Sequence, residues 1–219
     1  MPEYLMQLDM DGRLAFLSAG GPIVYLLCGL SVVALTVALA KAWQFILAGV
    51  FRGGRARRAA NLFRTGAVDD ARLAAGGGDV RSQVLLLAMN AKLTAAFSRE
   101  DAADEVARVT DNIIQRLGGY LRLLELIATL APLLGLLGTV LGMIDAFQSM
   151  EDAGAQVDPS VLSGGIWLAL LTTAVGLGVA IPSVAALNFF ERRLEVLSHD
   201  LDDLVGMVFF DALGKSAHE

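Results

Sequence analysis

Thr139, Thr172 and Thr173 sit in stretches that carry no charge. Thr139 lies in residues 126–144, LIATLAPLLGLLGTVLGMI, and the other two in residues 159–190, PSVLSGGIWLALLTTAVGLGVAIPSVAALNFF. A hydroxyl donates and accepts hydrogen bonds without a permanent charge, which is what a file of water or a hopping proton needs. Pro132 and Pro182 each remove one backbone donor and leave a carbonyl free in the same stretches. Gly135, Gly138 and Gly142 recur at spacings of three and four beside Thr139, and Gly176 and Gly178 follow the threonine pair. Gly138 and Gly142 form a GxxxG pair, which lets a second helix backbone approach closely. A passive role fits the same residues: a threonine in a membrane helix bonds its own i−4 carbonyl, and small-xxx-small spacing glues helices together. The residue types leave both readings open.

The elements that must hold these residues are membrane helices. Crossing roughly 30 Å of hydrocarbon takes about 20 helical residues. Both stretches are long enough, and so is a third charge-free block, residues 14–40. The chain is 55% hydrophobic and 18% charged, with its apolar residues gathered in these blocks, so three spans are expected. The first block does not read as a cleaved signal. Glu3, Asp9 and Asp11 outweigh Arg13 ahead of it, the run exceeds the usual ~7–15 apolar residues, and the basic cluster follows it.

Orientation follows from the lysines and arginines, which concentrate between the first and second spans and recur at Arg192 and Arg193 after the third. The link between the second and third spans carries Glu151, Asp152 and Asp158 instead. The positive-inside rule then places the N-terminus outside and the large loop and the tail in the cytoplasm. The expected plan is a periplasmic-side tail at 1–13 and a first span at 14–43. A cytoplasmic helical loop follows at 44–122, then a second span at 123–147, a short outer loop at 148–158, a third span at 159–190 and a cytoplasmic C-terminal helix at 191–219.

Outside the spans, residues 52–75 read as short helices broken by Gly53-Gly54 and Gly76-Gly77-Gly78. A further helix is expected over 80–97, with Val84, Leu87, Ala88, Ala91 and Leu93 on its apolar side. Ser98 with Asp101 resembles a capping box, and Val106, Val109, Ile113, Leu117, Tyr120 and Leu124 continue one apolar face. That pattern predicts one helix from 101 to 147, roughly 70 Å long, about half of it outside the bilayer. Asp158 suits an N-cap and Pro159 the first helical position. Leu194, Leu197, Leu201, Leu204 and Val208 form a short heptad seam that Gly214 can end. The fold class expected is an all-α membrane protein of three transmembrane helices, the second and third extended into a cytoplasmic helical bundle.

Several classes of function find no support. Cys28 is the only cysteine, and His199 and His218, the only histidines, lie in the tail, so neither a metal or cofactor site nor an enzyme is expected. The basic loop lacks the interleaved aromatics of a nucleic-acid binder, and Arg55–Arg58 reads as a contact with anionic lipid. Glu125 and Asp145 flank the second span as interfacial charges, and Trp43 and Trp167 fit interface anchors or packing residues.

APLLGLLGTVLGMIDAF at 131–147 and GGIWLALLTTAVGLGVAIP at 164–182 resemble the second- and third-span signatures of the MotA/TolQ/ExbB proton-channel family. The three-span plan is closest to ExbB and TolQ. The resemblance implies an inner-membrane subunit forming a pentamer around two copies of a single-span partner of the ExbD or TolR type. That partner supplies the aspartate that carries the proton, and a TonB- or TolA-like protein stands beyond it. Proton motive force would then drive mechanical work at the cell envelope, such as biopolymer transport. Thr139 and Thr173 match the family's pore-facing threonines, with Thr172 adjacent; Gly135, Gly138, Gly142, Gly176 and Pro182 would serve helix packing. One position departs from the pattern: Leu168 stands where ExbB and TolQ members commonly carry a glutamate. A non-conducting oligomeric scaffold for a partner protein is the alternative that this leucine supports.

Overall fold

The structure, a computed structural model, describes residues 21–51, 53–94, 98–153 and 159–209, and every regular element among them is an α-helix. In chain order these are α1 (Gly21–Leu47), α2 (Gly54–Arg64), α3 (Val68–Ala75), α4 (Val80–Leu93), α5 (Arg99–Gly118), α6 (Leu121–Ala153) and α7 (Pro159–Phe209). Three helical stretches, those holding α1, α6 and α7, are long and apolar enough to cross a membrane. The all-α class is therefore as expected. The part of the expected first span before Gly21 lies outside the described residues, as do Asp158, residues 95–97 and Gly214.

The chain divides into two compact units, residues 1–38 with 120–187 and residues 39–119 with 188–219. The first contains α6 and the early parts of α1 and α7. Its interior is built from Val24, Leu27, Leu124, Ile127, Ala131, Ala146, Ala169 and Leu171. Its outer faces expose Leu133, Leu136, Leu141, Ile166, Leu170 and Ile181. Apolar surface of that extent is stable in lipid or against other subunits, not in water.

The second unit holds α2–α5 and the ends of α1 and α7. Amphipathic periodicity explains α2: Ala56, Ala59, Ala60 and Phe63 are buried while Arg55, Arg57 and Arg58 face outward. Asp79 caps α4, accepting from the Ser82 amide at 3.3 Å and from the Ser82 hydroxyl at 2.7 Å. Ser98 caps α5 through the Asp101 amide at 3.1 Å, as its spacing predicts. The heptad seam of α7 is buried at Leu197, Leu201, Leu204 and Val208. Phe45 and Phe190 meet edge-to-face with centroids 5.3 Å apart.

Chain reversals rest on backbone geometry. After α1 the Gly49 amide bonds Ile46 O at 3.1 Å and the Val50 amide bonds Phe45 O at 3.1 Å, a Schellman closure with Gly49 at φ +65°. A Cβ at Gly49 would stand 2.7 Å from the Asp79 Cβ, so a side chain there would also collide with the α4 cap.

Two sequence expectations differ from the structure. The single helix expected from 101 to 147 is two, because Gly119 and Tyr120 form a turn with Tyr120 at φ +66° and three-quarters exposed. Helix α4 ends at Leu93, and its buried face is Val84, Leu85, Ala88 and Met89; Leu93 is exposed and Leu87 and Ala91 are half-buried. Within α1 the Lys41 ammonium is buried and donates to Gln44 Oε1 and to Leu117 O, each at 2.8 Å. The second bond places a positive charge on the carbonyl-rich end of α5, where a helix dipole favours it.

Candidate functional site

The first unit brings the sequence-selected threonines and glycines to one seam between α6 and α7. Along α6 the seam runs Ala131, Gly135, Gly138, Gly142, Ala146; along α7 it runs Gly165, Ala169, Thr172, Gly176. A Cβ on Gly176 would lie 2.6 Å from Ala131 O, and one on Gly135 would lie 3.0 Å from Thr172 O and 3.1 Å from the Thr173 Cα. A Cβ on Gly138 would fall 2.5 Å from the Thr172 Oγ1, while Gly142 faces Ala169 with room for ordinary contact at 3.4 Å. Two helices in lipid gain little from burying apolar surface, so close backbone approach and the dispersion it brings hold such a pair. Gly178 lies off the seam, exposed, with nothing within 4 Å of its would-be Cβ. Pro182 is exposed within α7, upstream of the buried Ser183.

The hydroxyls are engaged within this seam. Thr172 is buried and donates to Ala169 O at 2.7 Å, with Gly135 O further off at 3.2 Å. Thr173, half-buried, reaches the same Gly135 O at 3.3 Å. A hydroxyl has one proton, so Thr172 commits mainly to the shorter bond and the Gly135 carbonyl is left as a shared, weakly bound acceptor. Thr139 donates to Leu136 O in its own helix at 2.6 Å and stands half-buried. The structure thus gathers Thr172 and Thr173 on one carbonyl of α6, while the Thr139 hydroxyl turns back on its own turn.

Chemically, this seam offers hydroxyl lone pairs and one peptide carbonyl, and nothing that titrates. No ionisable residue lies between Glu125 and Asp145 on α6 or between Pro159 and Glu191 on α7. Leu168 is half-buried on α7, with Ala169 beside it on the seam. Trp43 and Trp167 are both exposed, as are Glu125 and Asp145. Among the described residues no group of three His, Cys, Asp or Glu side chains is placed to hold a metal ion.

Sequence reasoning missed Ala131, Ala146, Gly165 and Ala169 as seam residues. Their signal was present: small residues continue the three-and-four spacing of the glycines on both helices. It also missed Arg81, whose Nη2 lies 2.7 Å from Asp200 Oδ2 and whose Nη1 donates to Val50 O at 2.7 Å in the second unit. No spacing links residues so far apart in the chain.

Comparison with known proteins adds an independent result. A family model described as the MotA/TolQ/ExbB proton channel family matches residues 79–203, from the Asp79 cap to the seam of α7. The chain is 43% identical over 86 residues to the biopolymer transport protein exbB1 of Vibrio cholerae, covering 37% of this chain and 38% of that protein. It is 33% identical over 109 residues to the Tol-Pal system protein TolQ of Haemophilus influenzae, covering 48% and 47% respectively. With the biopolymer transport protein ExbB of Helicobacter pylori it shares 45% identity over 78 residues, 36% of this chain and 53% of that one. The chain thus spans roughly 38% to 53% of the lengths of these curated relatives.

Proposed function

This chain belongs to the MotA/TolQ/ExbB proton channel family, and from that premise we propose that it is a proton-conducting subunit of an inner-membrane motor that couples the proton motive force to work at the cell envelope. The observation that carries the reading is the seam of α6 and α7, where Thr172 and Thr173 converge on the Gly135 carbonyl within the charge-free stretches of the two helices. Such a seam can pass a proton between waters but cannot store one, so a carboxyl group must come from another chain. A single-span partner of the ExbD or TolR type, carrying an aspartate, fills that need. The subunit itself works as a homo-oligomer, a pentamer by analogy with the family, with its N-terminus periplasmic and α2–α5 cytoplasmic, as the distribution of arginine and lysine supports. Biopolymer transport and Tol-Pal work, named in the relatives, are the two envelope tasks in view.

A second reading has its own support. Leu168 cannot titrate, and the Thr139 and Thr172 protons are held by carbonyls of their own helices. An oligomeric scaffold that positions a partner without conducting accounts for both. Proton flux in liposomes, measured for this chain with and without its cognate partner, separates the readings. Flux only in the assembled complex, abolished by Thr173→Val and Thr139→Val with assembly intact, is expected for the channel. An assembled complex without flux makes this chain a scaffold.

A further inference from the structure

In the second unit, Arg193 stands three residues beyond the end of the charge-free stretch of α7. Its guanidinium carbon lies 5.3 Å from the ring centre of Phe51 and 5.3 Å from that of Phe189, so two aromatic rings flank one cation. Its neighbour Arg192 is paired with Glu195 at 2.7 Å, whereas Arg193 makes no ion pair among the described residues. Both rings are about half exposed, Phe51 at 50% and Phe189 at 48%.

This arrangement has a physical consequence. Rings that attract the guanidinium restrict its rotamers while leaving its forked N–H edge open to solvent. A planar fork of that kind matches two oxygens of a phosphate at once. The surroundings select the phosphate's source. Phe51 follows α1 by four residues, and the end of α1 exposes the apolar side chains of Trp43, Ile46 and Leu47. Helix α2 of the same unit exposes three further arginines, Arg55, Arg57 and Arg58. A ligand with an anionic phosphodiester and long acyl chains satisfies both the fork and the apolar surface; a soluble phosphate satisfies only the fork.

We infer that Arg193, flanked by Phe51 and Phe189, is a headgroup site for an anionic phospholipid. The site stands whether or not the chain conducts protons. It would fix the depth and rotation of α7 against the bilayer surface at the point where the helix leaves the hydrocarbon.

Native mass spectrometry of the full chain in detergent, titrated with dioleoylphosphatidylglycerol, tests it, with dioleoylphosphatidylcholine and inorganic phosphate as the other probes. The expected result is preferential retention of phosphatidylglycerol, not displaced by inorganic phosphate. Arg193→Gln is expected to weaken that retention about fivefold, near the effect of one basic residue at a membrane surface. Phe51→Leu keeps the charge and removes one ring, and is expected to weaken it roughly two- to fivefold. Circular dichroism establishes that each variant is folded, and Phe51→Leu decides the question if Arg193→Gln is not. Equal retention of the two lipids, displacement by inorganic phosphate, or unchanged phosphatidylglycerol binding in a folded Arg193→Gln would overturn the site.

Discussion

The two units of this chain hold their helices together by opposite means. In the first, α6 and α7 meet through absent side chains: Gly135, Gly138 and Gly176 let backbone approach backbone, and the hydrogen bonds across the seam are two long hydroxyl–carbonyl contacts. In the second, side chains fill the space: Phe45, Phe63, Leu85, Met89, Leu197 and Leu201 form the interior, and charged groups such as Arg81 and Lys41 are buried with partners. The solvent explains the contrast. In water, burying a large apolar side chain is worth about 1.5–3 kcal/mol, so big residues at an interface stabilise it. In lipid the outside is as apolar as the inside, and only tighter packing distinguishes associated helices from separated ones.

The sharpest way to break that contrast is to give the first unit the packing logic of the second. Gly176→Leu forces a side chain against Ala131 O and is expected to cost about 3 kcal/mol, seen as loss of thermal stability in detergent. Gly178→Ala, two residues away in open space, is expected to leave stability unchanged or raise it by up to about 1 kcal/mol through helix propensity. Equal effects of the two would show that close approach does not hold α6 to α7.

In the second unit the matching test is electrostatic. Asp200→Ala leaves the buried Arg81 guanidinium without this carboxylate. Loss of one partner of a fully buried pair costs roughly 3–5 kcal/mol, but Asp200 is 38% exposed, so about 2 kcal/mol is expected. The readout is faster amide hydrogen exchange along 197–208. The smallest loss belongs to the cap: Ser98→Ala should cost about 1 kcal/mol and show as fraying confined to the first turn of α5.

How far the sequence carried depends on whether a feature is local or relational. The Ser98 cap, the seam from Leu194 to Val208 and the short helices about Gly53 and Gly76 follow from a few neighbouring residues, and each is found in place. The expected helix from 101 to 147 failed at Tyr120, because an apolar face at helical spacing continues across Gly118-Gly119 whether or not the backbone does. Positive φ at a tyrosine is disfavoured locally and persists only where surrounding structure enforces it. Likewise Gly176 and Gly178 look alike in sequence, yet one touches backbone and the other touches nothing.

The sequence by itself determined that three charge-free stretches, each long enough to span a membrane as a helix, carry hydroxyls and glycines where leucine would suffice, since length and hydropathy are additive along the chain. Tertiary structure alone decided which glycines become contacts, that Thr172 and Thr173 share the Gly135 carbonyl, and that Arg193 sits between Phe51 and Phe189. Those are properties of faces brought together from distant positions. A helix's own periodicity says which residues share a face, but only packing says what that face meets.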